Sequence, residues 1–227
     1  MRALNAGARH LKRLPAHLHF ETATVSDLPA LSDLFLHQFV RCEPHSRAFH
    51  MGDEAAPLFE AIADSCVRQP YSLKLIDDKK DNRVVGFRLL GIGHRDPSLD
   101  PFPIQPQVNA PNVLTLMAML EETKRLTLEA LPDIHKMLRR EISFITSDYQ
   151  HRGIGALMLH HKLDFEQLKA DGVQGIVSEA TSKANQHLLS SRGYKKVAQL
   201  PDSVYKQLFI HLHDGTRNIE AFFYDLR

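Results

Sequence analysis

Ile142-Ser143-Phe144-Ile145-Thr146-Ser147-Asp148-Tyr149-Gln150-His151-Arg152-Gly153-Ile154-Gly155-Ala156 is the stretch that decides the reading of this chain. An apolar strand and a polar turn lead through two glycines into the start of a helix. Gly153 and Gly155 let successive backbone N–H groups face one concavity with no Cβ in the way, and a helix start adds unpaired N–H groups of its own. Such a loop holds an anion, with a pyrophosphate as its natural guest and His151 and Arg152 adding charge at the rim. An ordinary tight turn would use the same two glycines.

Two nucleotide motifs with similar ingredients fail. A phosphate-binding P-loop needs Gly-Lys-Ser/Thr after its spacer, whereas Gly86 to Gly91 continues with Ile92-Gly93. The dinucleotide fingerprint needs a third small residue where Met158 stands.

Outward from the loop, the pattern predicts a helix from Ile154 to about Lys169, a strand Gly175 to Ala180, and a helix from about Ala184 that stops at Gly193. Upstream, Leu18 to Thr24 alternates as a strand, and Ser26 is placed to cap a helix with Pro29 in its first turn. Leu28, Leu31, Phe35 and Phe39 share one face of that helix. Glu43-Pro44 breaks it, because the residue before proline is pushed out of the helical region. A second helix runs from about Glu54 to Arg68, and Ser72 to Ile76 with Val84 to Leu90 reads as a hairpin. A stretch with five prolines between Pro97 and Pro111 precedes a helix over 113 to 130 and a strand Glu141 to Thr146. Lys196 to Leu200 and Ile219 to Tyr224 are closing strands.

The balance of 28 basic against 27 acidic residues leaves no basic surface for a nucleic-acid backbone. No stretch approaches the roughly 20 apolar residues of a spanning helix, so neither nucleic acid nor membrane is an expected partner. Arg2, Arg9, Lys12 and Arg13 stand in an acid-free start, which reads as an N-terminal extension over 1 to 17 or, alternatively, a mitochondrial presequence. Cys42 and Cys66 have no close partner and read as inert buried thiols in a reducing, cytoplasmic setting. Among fourteen histidines there is no HExxH, no metal is expected, and His161 falls in an apolar helical series as a core residue.

Gln150-x-x-Gly153-x-Gly155 after an apolar strand, with Gly193-Tyr194 about 40 residues on, resembles the acetyl-CoA core of GNAT-type N-acetyltransferases. Glu43-Pro44 after the first helix, the segment inserted over about 93 to 138, Thr181-Ser182, Leu200-Pro201 and Tyr205-Lys206 narrow the resemblance to the arylalkylamine N-acetyltransferase-like branch of invertebrate type. It implies an α/β (α+β) fold, a mixed and mostly antiparallel sheet of six to seven strands with helices on both faces. Residues 18 to 227 would form one acyl-CoA N-acyltransferase domain.

The resemblance also implies a reaction: acetyl-CoA and a small primary amine, an arylalkylamine by the same resemblance, meet in a ternary complex with no metal. An amine with a pKa near 10.4 must lose a proton before it attacks. The resemblance makes Glu43 the base; the alternative is a Glu43 that only caps the helix Pro44 starts. Phe144, Ile145 and Thr146 would lie along the acyl and pantetheine arm, and Gln150, His151, Arg152, Gly153, Ile154, Gly155 and Ala156 would hold the pyrophosphate. Thr181 and Asn185 match positions near the thiol or amine. Many relatives have a tyrosine four residues before the glycine of Gly193-Tyr194 to protonate the thiolate, and this chain has Leu189. Water, Thr181 or Ser182 would serve instead, or the thiolate leaves unassisted. His45 and His50 could line the amine site, as could the Met and Leu residues of 113 to 126. A longer acyl donor, a polyamine acceptor, or a non-catalytic CoA-binding module remain alternatives. Oligomeric state has no signature in the sequence.

Overall fold

The computed structural model describes residues 13–227, so the basic start up to residue 12 lies outside the described residues. β1 (Leu18–Thr22), β2 (Leu73–Asp77), β3 (Arg83–His94) and β4 (Lys136–Ile145) run antiparallel in turn. β5 (Gly175–Ala180) joins β4 in parallel, and β6 (Lys195–Gln199) and β7 (Glu220–Asp225) complete a seven-stranded sheet in the order β1-β2-β3-β4-β5-β7-β6. This is the mixed, mostly antiparallel sheet anticipated. Both long strands outrun their sequence reading, so the segment leaving the sheet is 95–135.

The sheet parts down its middle. The parallel ladder holds only at Leu138↔Ile176 and Arg139↔Val177. Across the other edge of β4, Leu89 faces Ile142 while Leu90 faces Arg140, which leaves Glu141 as the extra residue of a β-bulge. A bulge bends its strand, and this one sits where β4 leaves β5.

The helical path over residues 28–42 comprises α1 (Leu28–Leu34), a wider π-helical stretch (Phe35–Phe39) and α2 (Val40–Cys42). Thr24, not Ser26, is the cap: a 3-10 turn (Val25–Asp27) precedes α1, and the Asp27 carboxylate accepts the Thr24 N–H at 2.8 Å. α3 (Pro44–Ala48), α4 (Ala56–Val67) and α5 (Pro111–Ala130) follow. α1, α4 and α5 cover one sheet face, with Leu31, Phe35, Phe59, Phe87, Leu89 and Phe144 in the core between. Phe35 stacks on Phe59 at 5.2 Å and meets Phe87 at 4.7 Å; such pairs add about 0.5–1.5 kcal/mol each beyond area burial.

On the other face, the single helix expected from Ile154 to Lys169 is two: α6 (Ile154–Met158) and α7 (Phe165–Ala170). The cause is Arg88 of β3, which is 0% exposed. Its Nη1 donates to the carbonyls of Met158 and Leu159, and its Nη2 to those of Tyr71 and His161. A guanidinium thus takes carbonyls that a longer helix would have used. Lys162 turns the chain at φ 58°, and Asp164 caps α7 by accepting the Gln167 N–H at 3.0 Å. His161 therefore leaves the apolar series and is exposed beside Phe20, which corrects its reading as a core histidine. α8 (Lys183–Ser191) packs Leu189 on this face with Leu90, Leu138, Ile176 and Phe222. α9 (Asp202–Gln207), which alternation alone missed, starts after Pro201 and carries Tyr205.

Candidate active site

The gap between β4 and β5 opens into a cleft of about 500 Å³ that reaches both faces of the sheet. At one end lies the glycine loop. His151 and Gly153 both take left-handed backbone angles, φ 58° and 79°, which glycine adopts freely and histidine does not. Among the described residues the N–H groups of 151 through 155 have no protein acceptor. Because α6 spans only five residues, its dipole is small, and these five free N–H groups are the main source of positive potential. A Cβ on Gly155 would meet Leu188 at 3.6 Å, an ordinary contact, so this glycine keeps the cleft clear and relieves no packing clash.

Phe144, Ile145, Gln150, His151, Gly153, Ile154 and Gly155 line the cleft; Thr146, Arg152 and Ala156 do not. Thr146 N–H donates to Val85 O at 3.0 Å, the Arg152 guanidinium lies over the Tyr149 ring at 5.6 Å, and Ala156 N–H turns back to Gly153 O at 3.2 Å. Backbone groups alternate sides along an antiparallel strand. With Thr146 bonded to β3, the N–H of Phe144 also faces β3, and those of Ser143 and Ile145 face the gap. The Ile145 carbonyl accordingly accepts from Gln150 Nε2 at 2.7 Å.

At the other end stands Glu43, 8% exposed. Its Oε2 caps α3 by accepting the Ser46 N–H at 2.6 Å, while Oε1 faces His45 Nδ1 at 3.4 Å. His45 is fully buried, and its Nε2 lies 2.8 Å from Tyr205 Oη. That phenol oxygen accepts the Ile219 N–H at 2.8 Å, which leaves the phenol hydrogen for Nε2 and turns an Nδ1–H towards Glu43. Burial pushes the Glu43 carboxyl up, yet His45, the Ser46 N–H and the Thr181 hydroxyl together hold it below the usual glutamate range. A general base that takes a proton directly from an ammonium would need the opposite shift. Thr181 reaches Glu43 from the end of β5, so two residues 138 positions apart meet across the cleft.

Ser182 also lines the cleft, with its hydroxyl accepting the Asn185 N–H at 3.4 Å as the cap of α8. Asn185 Oδ1 accepts from Arg140 Nη1 at 3.0 Å. Leu189 is buried in the core and supplies no proton. His50 is exposed at φ 52° and does not line the cleft. Leu116, Met117 and Leu120 wall it, whereas Val113 and Met119 fill the core. Cys42 is exposed and lines the cleft, because α2 ends there on its way to Glu43; only Cys66 is buried, and burial raises its thiol well above the ordinary range.

Arg140 and Glu179 were not singled out in the sequence, though a second charge in Arg139-Arg140 and an acid in Ser178-Glu179-Ala180 stand out within otherwise apolar strands. Both line the cleft. Arg139 pairs with Glu141 at 3.2 Å, while Glu179 has no ion-pair partner among the described residues, and burial raises its carboxyl. Glu43 Oε1, Ser46 Oγ, Ser143 Oγ and Arg140 Nε are buried without hydrogen-bond partners, and all four residues line the cleft. A polar ligand fits such a site. Among the described residues no three His, Cys, Asp or Glu side chains gather as a metal group.

No protein-family model and no curated protein matches the sequence. Solved structures do. A putative arylalkylamine N-acetyltransferase 7 from the yellow fever mosquito Aedes aegypti superposes with a TM-score of 0.75 at 13% identity, over 92% of this chain and 88% of that one. Arylalkylamine N-acetyltransferase 2 from Aedes aegypti gives 0.72 at 18% identity, over 92% and 99%. The chain has the GNAT fold. A Drosophila melanogaster polyamine N-acetyltransferase that forms N-acetylagmatine shares the same GNAT fold with a TM-score of 0.71 at 13% identity, over 92% and 99%. The resemblance read from Gln150, Gly153, Gly155 and Glu43-Pro44 is thus matched in three dimensions by insect arylalkylamine N-acetyltransferases. In this GNAT fold the parted strands, the glycine loop and Glu43 share one cleft.

Proposed function

We propose that the protein transfers an acetyl group from acetyl-CoA to a primary amine by direct attack within a ternary complex. The observation that carries this reading is that His151, Gly153, Ile154 and Gly155, whose N–H groups are free, and the Glu43–Thr181 pair line the same cleft. The loop suits the pyrophosphate, and the gap between β4 and β5 suits an extended pantetheine arm. The N–H of Ser143, the gap-facing donor of β4 nearest the bulge at Glu141, is available to the thioester oxygen as it gains charge.

Glu43 receives a proton late on this account. A carboxylate held below its usual range is a poor sink for a proton on an ammonium of pKa about 10.4. It is an adequate sink once nitrogen has bonded the carbonyl carbon and become far more acidic. The amine therefore enters as the free base, attacks, and then gives its proton to Glu43, directly or through the Thr181 hydroxyl.

The acceptor we favour is an arylalkylamine, because Phe39, Leu58, Phe59, Ile62, Leu116 and Met117 form an apolar wall beside Glu43. A second reading, a diamine or guanidino-amine, is supported by Glu179, a carboxylate in the cleft that Arg139 and Lys124 act on only from beyond ion-pair distance. Thiol release from acetyl-CoA with 2-phenylethylamine and with putrescine tests both. Release with the aryl amine supports the first reading, faster release with putrescine favours the second, and none with any primary amine would overturn the enzyme reading.

A further inference from the structure

Arg140 is the first residue of β4 beyond the last ladder pair with β5, Arg139↔Val177, so it stands at the apex of the gap. It is 5% exposed and lines the cleft. Its Nη1 donates to Ser178 Oγ at 3.3 Å and to Asn185 Oδ1 at 3.0 Å, both neutral acceptors, and its Nε is buried with no acceptor. The charged and titratable groups around it are Arg88 from β3, His160 after α6, and Tyr194 after α8. Among the described residues no carboxylate lies within ion-pair distance, and Arg88 adds a second positive charge. Burial without a counter-ion brings the Arg140 guanidinium down to about 10, and burial together with Arg88, Arg140 and Arg192 brings His160 down to about 4.

A buried cation left without an anion is unfavourable unless its function supplies one. Ile145 to Arg140 spans five residues of strand, roughly 17 Å at about 3.3 Å per residue, which is comparable to an extended pantetheine arm running from the glycine loop. The thiol end of that arm arrives at Arg140. Leu189 offers no proton there.

Given the acetyl-CoA reading above, on which this rests, we propose that Arg140 is a catalytic residue that stabilises the departing CoA thiolate by charge. The C–N bond forms as the amine attacks; the C–S bond then breaks with its electron pair passing to sulfur, and the nitrogen proton goes to Glu43. The sulfur leaves as an anion opposite the guanidinium and takes a proton from water after release. Arg140 keeps its own protons throughout.

The test is the ionisation of bound CoA. Ultraviolet thiolate absorbance of CoA on the full chain is titrated against pH, with the complex of desulfo-CoA, which lacks the sulfur, as the spectral blank for Cys42 and Cys66. Bound thiol should ionise about one pH unit or more below free CoA, tenfold in thiolate fraction. Arg140→Gln should abolish the shift while binding desulfo-CoA as wild type does, and Arg140→Lys, which keeps the charge, should retain most of it. A wild-type thiol that titrates like free CoA overturns the proposal. So does an Arg140→Gln that weakens CoA and desulfo-CoA equally, because Arg140 would then hold only the arm. If neither compound binds wild type, it is the acetyl-CoA reading of the cleft that has failed, and the role of Arg140 with it.

Discussion

Oε1 of Glu43 and Nδ1 of His45 face each other at 3.4 Å inside the protein, and neither atom has a hydrogen bond. Tyr205 fixes the imidazole from the far side. Glu43 is thereby kept ionised, with its capping oxygen tied to Ser46. Whatever proton it receives during turnover has a stabilised carboxylate to return to.

The first prediction concerns pH. A carboxyl lowered in the folded state stays ionised through the neutral range and is lost only as pH falls through its depressed value. The kcat should therefore hold across the neutral range and fall only below the range in which an ordinary glutamate, of reference pKa about 4.3, protonates. The kcat/KM for the amine should instead rise with pH, following the free-base fraction. Glu43→Gln should lower kcat by about 10² to 10³-fold. A kcat limb near pH 7 that vanishes in Glu43→Gln would show a raised carboxyl and contradict the lowered one.

Tyr205→Phe separates orientation from chemistry. It removes the acceptor of the Ile219 N–H and the partner of His45 Nε2, both buried. Leaving such groups unpaired costs about 1–3 kcal/mol, which urea unfolding should register. The kcat should fall with little change in the KM for acetyl-CoA. Wild-type stability and kcat together would remove Tyr205 from the account.

Gly153→Ala tests the loop. At φ 79° an alanine is strained by about 1 kcal/mol, and relaxing that strain turns the neighbouring N–H groups out of the concavity. Calorimetry should show CoA binding weakened several-fold or more, with the amine side untouched. Undiminished CoA affinity would mean that the phosphates lie elsewhere.

Glu179→Gln distinguishes acceptors. If its carboxylate holds a second cation, the KM for putrescine should rise about tenfold, while that for 2-phenylethylamine stays within twofold; this corresponds to about 1.4 kcal/mol for one charge-assisted contact. Equal effects on both amines would assign Glu179 to the structure of the cleft wall.

Much of this was legible in the sequence because local chemistry decided it. Pro44 ended the first helix, Gly153 and Gly155 marked the loop, and apolar runs marked β5 and the second half of β4. Even the split role of Glu43, cap and cleft residue together, was present as two competing readings. What stayed hidden depends on contacts distant in sequence. Nothing near Ile154 signals that α6 will stop at Met158, because the residue responsible is Arg88, 70 positions away. His45 and Tyr205 meet across 160 positions, and the exposed His161 looked apolar only while its helix was taken as unbroken. Arg140 stands before Glu141, where the sequence begins this strand, so nothing local placed it in β4. Arg139 is paired with Glu141, and Arg140 is instead buried at the apex of the gap.

The most direct test is a single turnover of the acetyl-CoA-loaded protein mixed with excess 2-phenylethylamine, following free thiol and N-acetylated amine together. One thiol and one N-acetyl amide should form per bound acetyl-CoA, in step, and neither should form without amine. Thiol released at the same rate with or without amine, or bound acetyl-CoA that never reacts, would contradict the account.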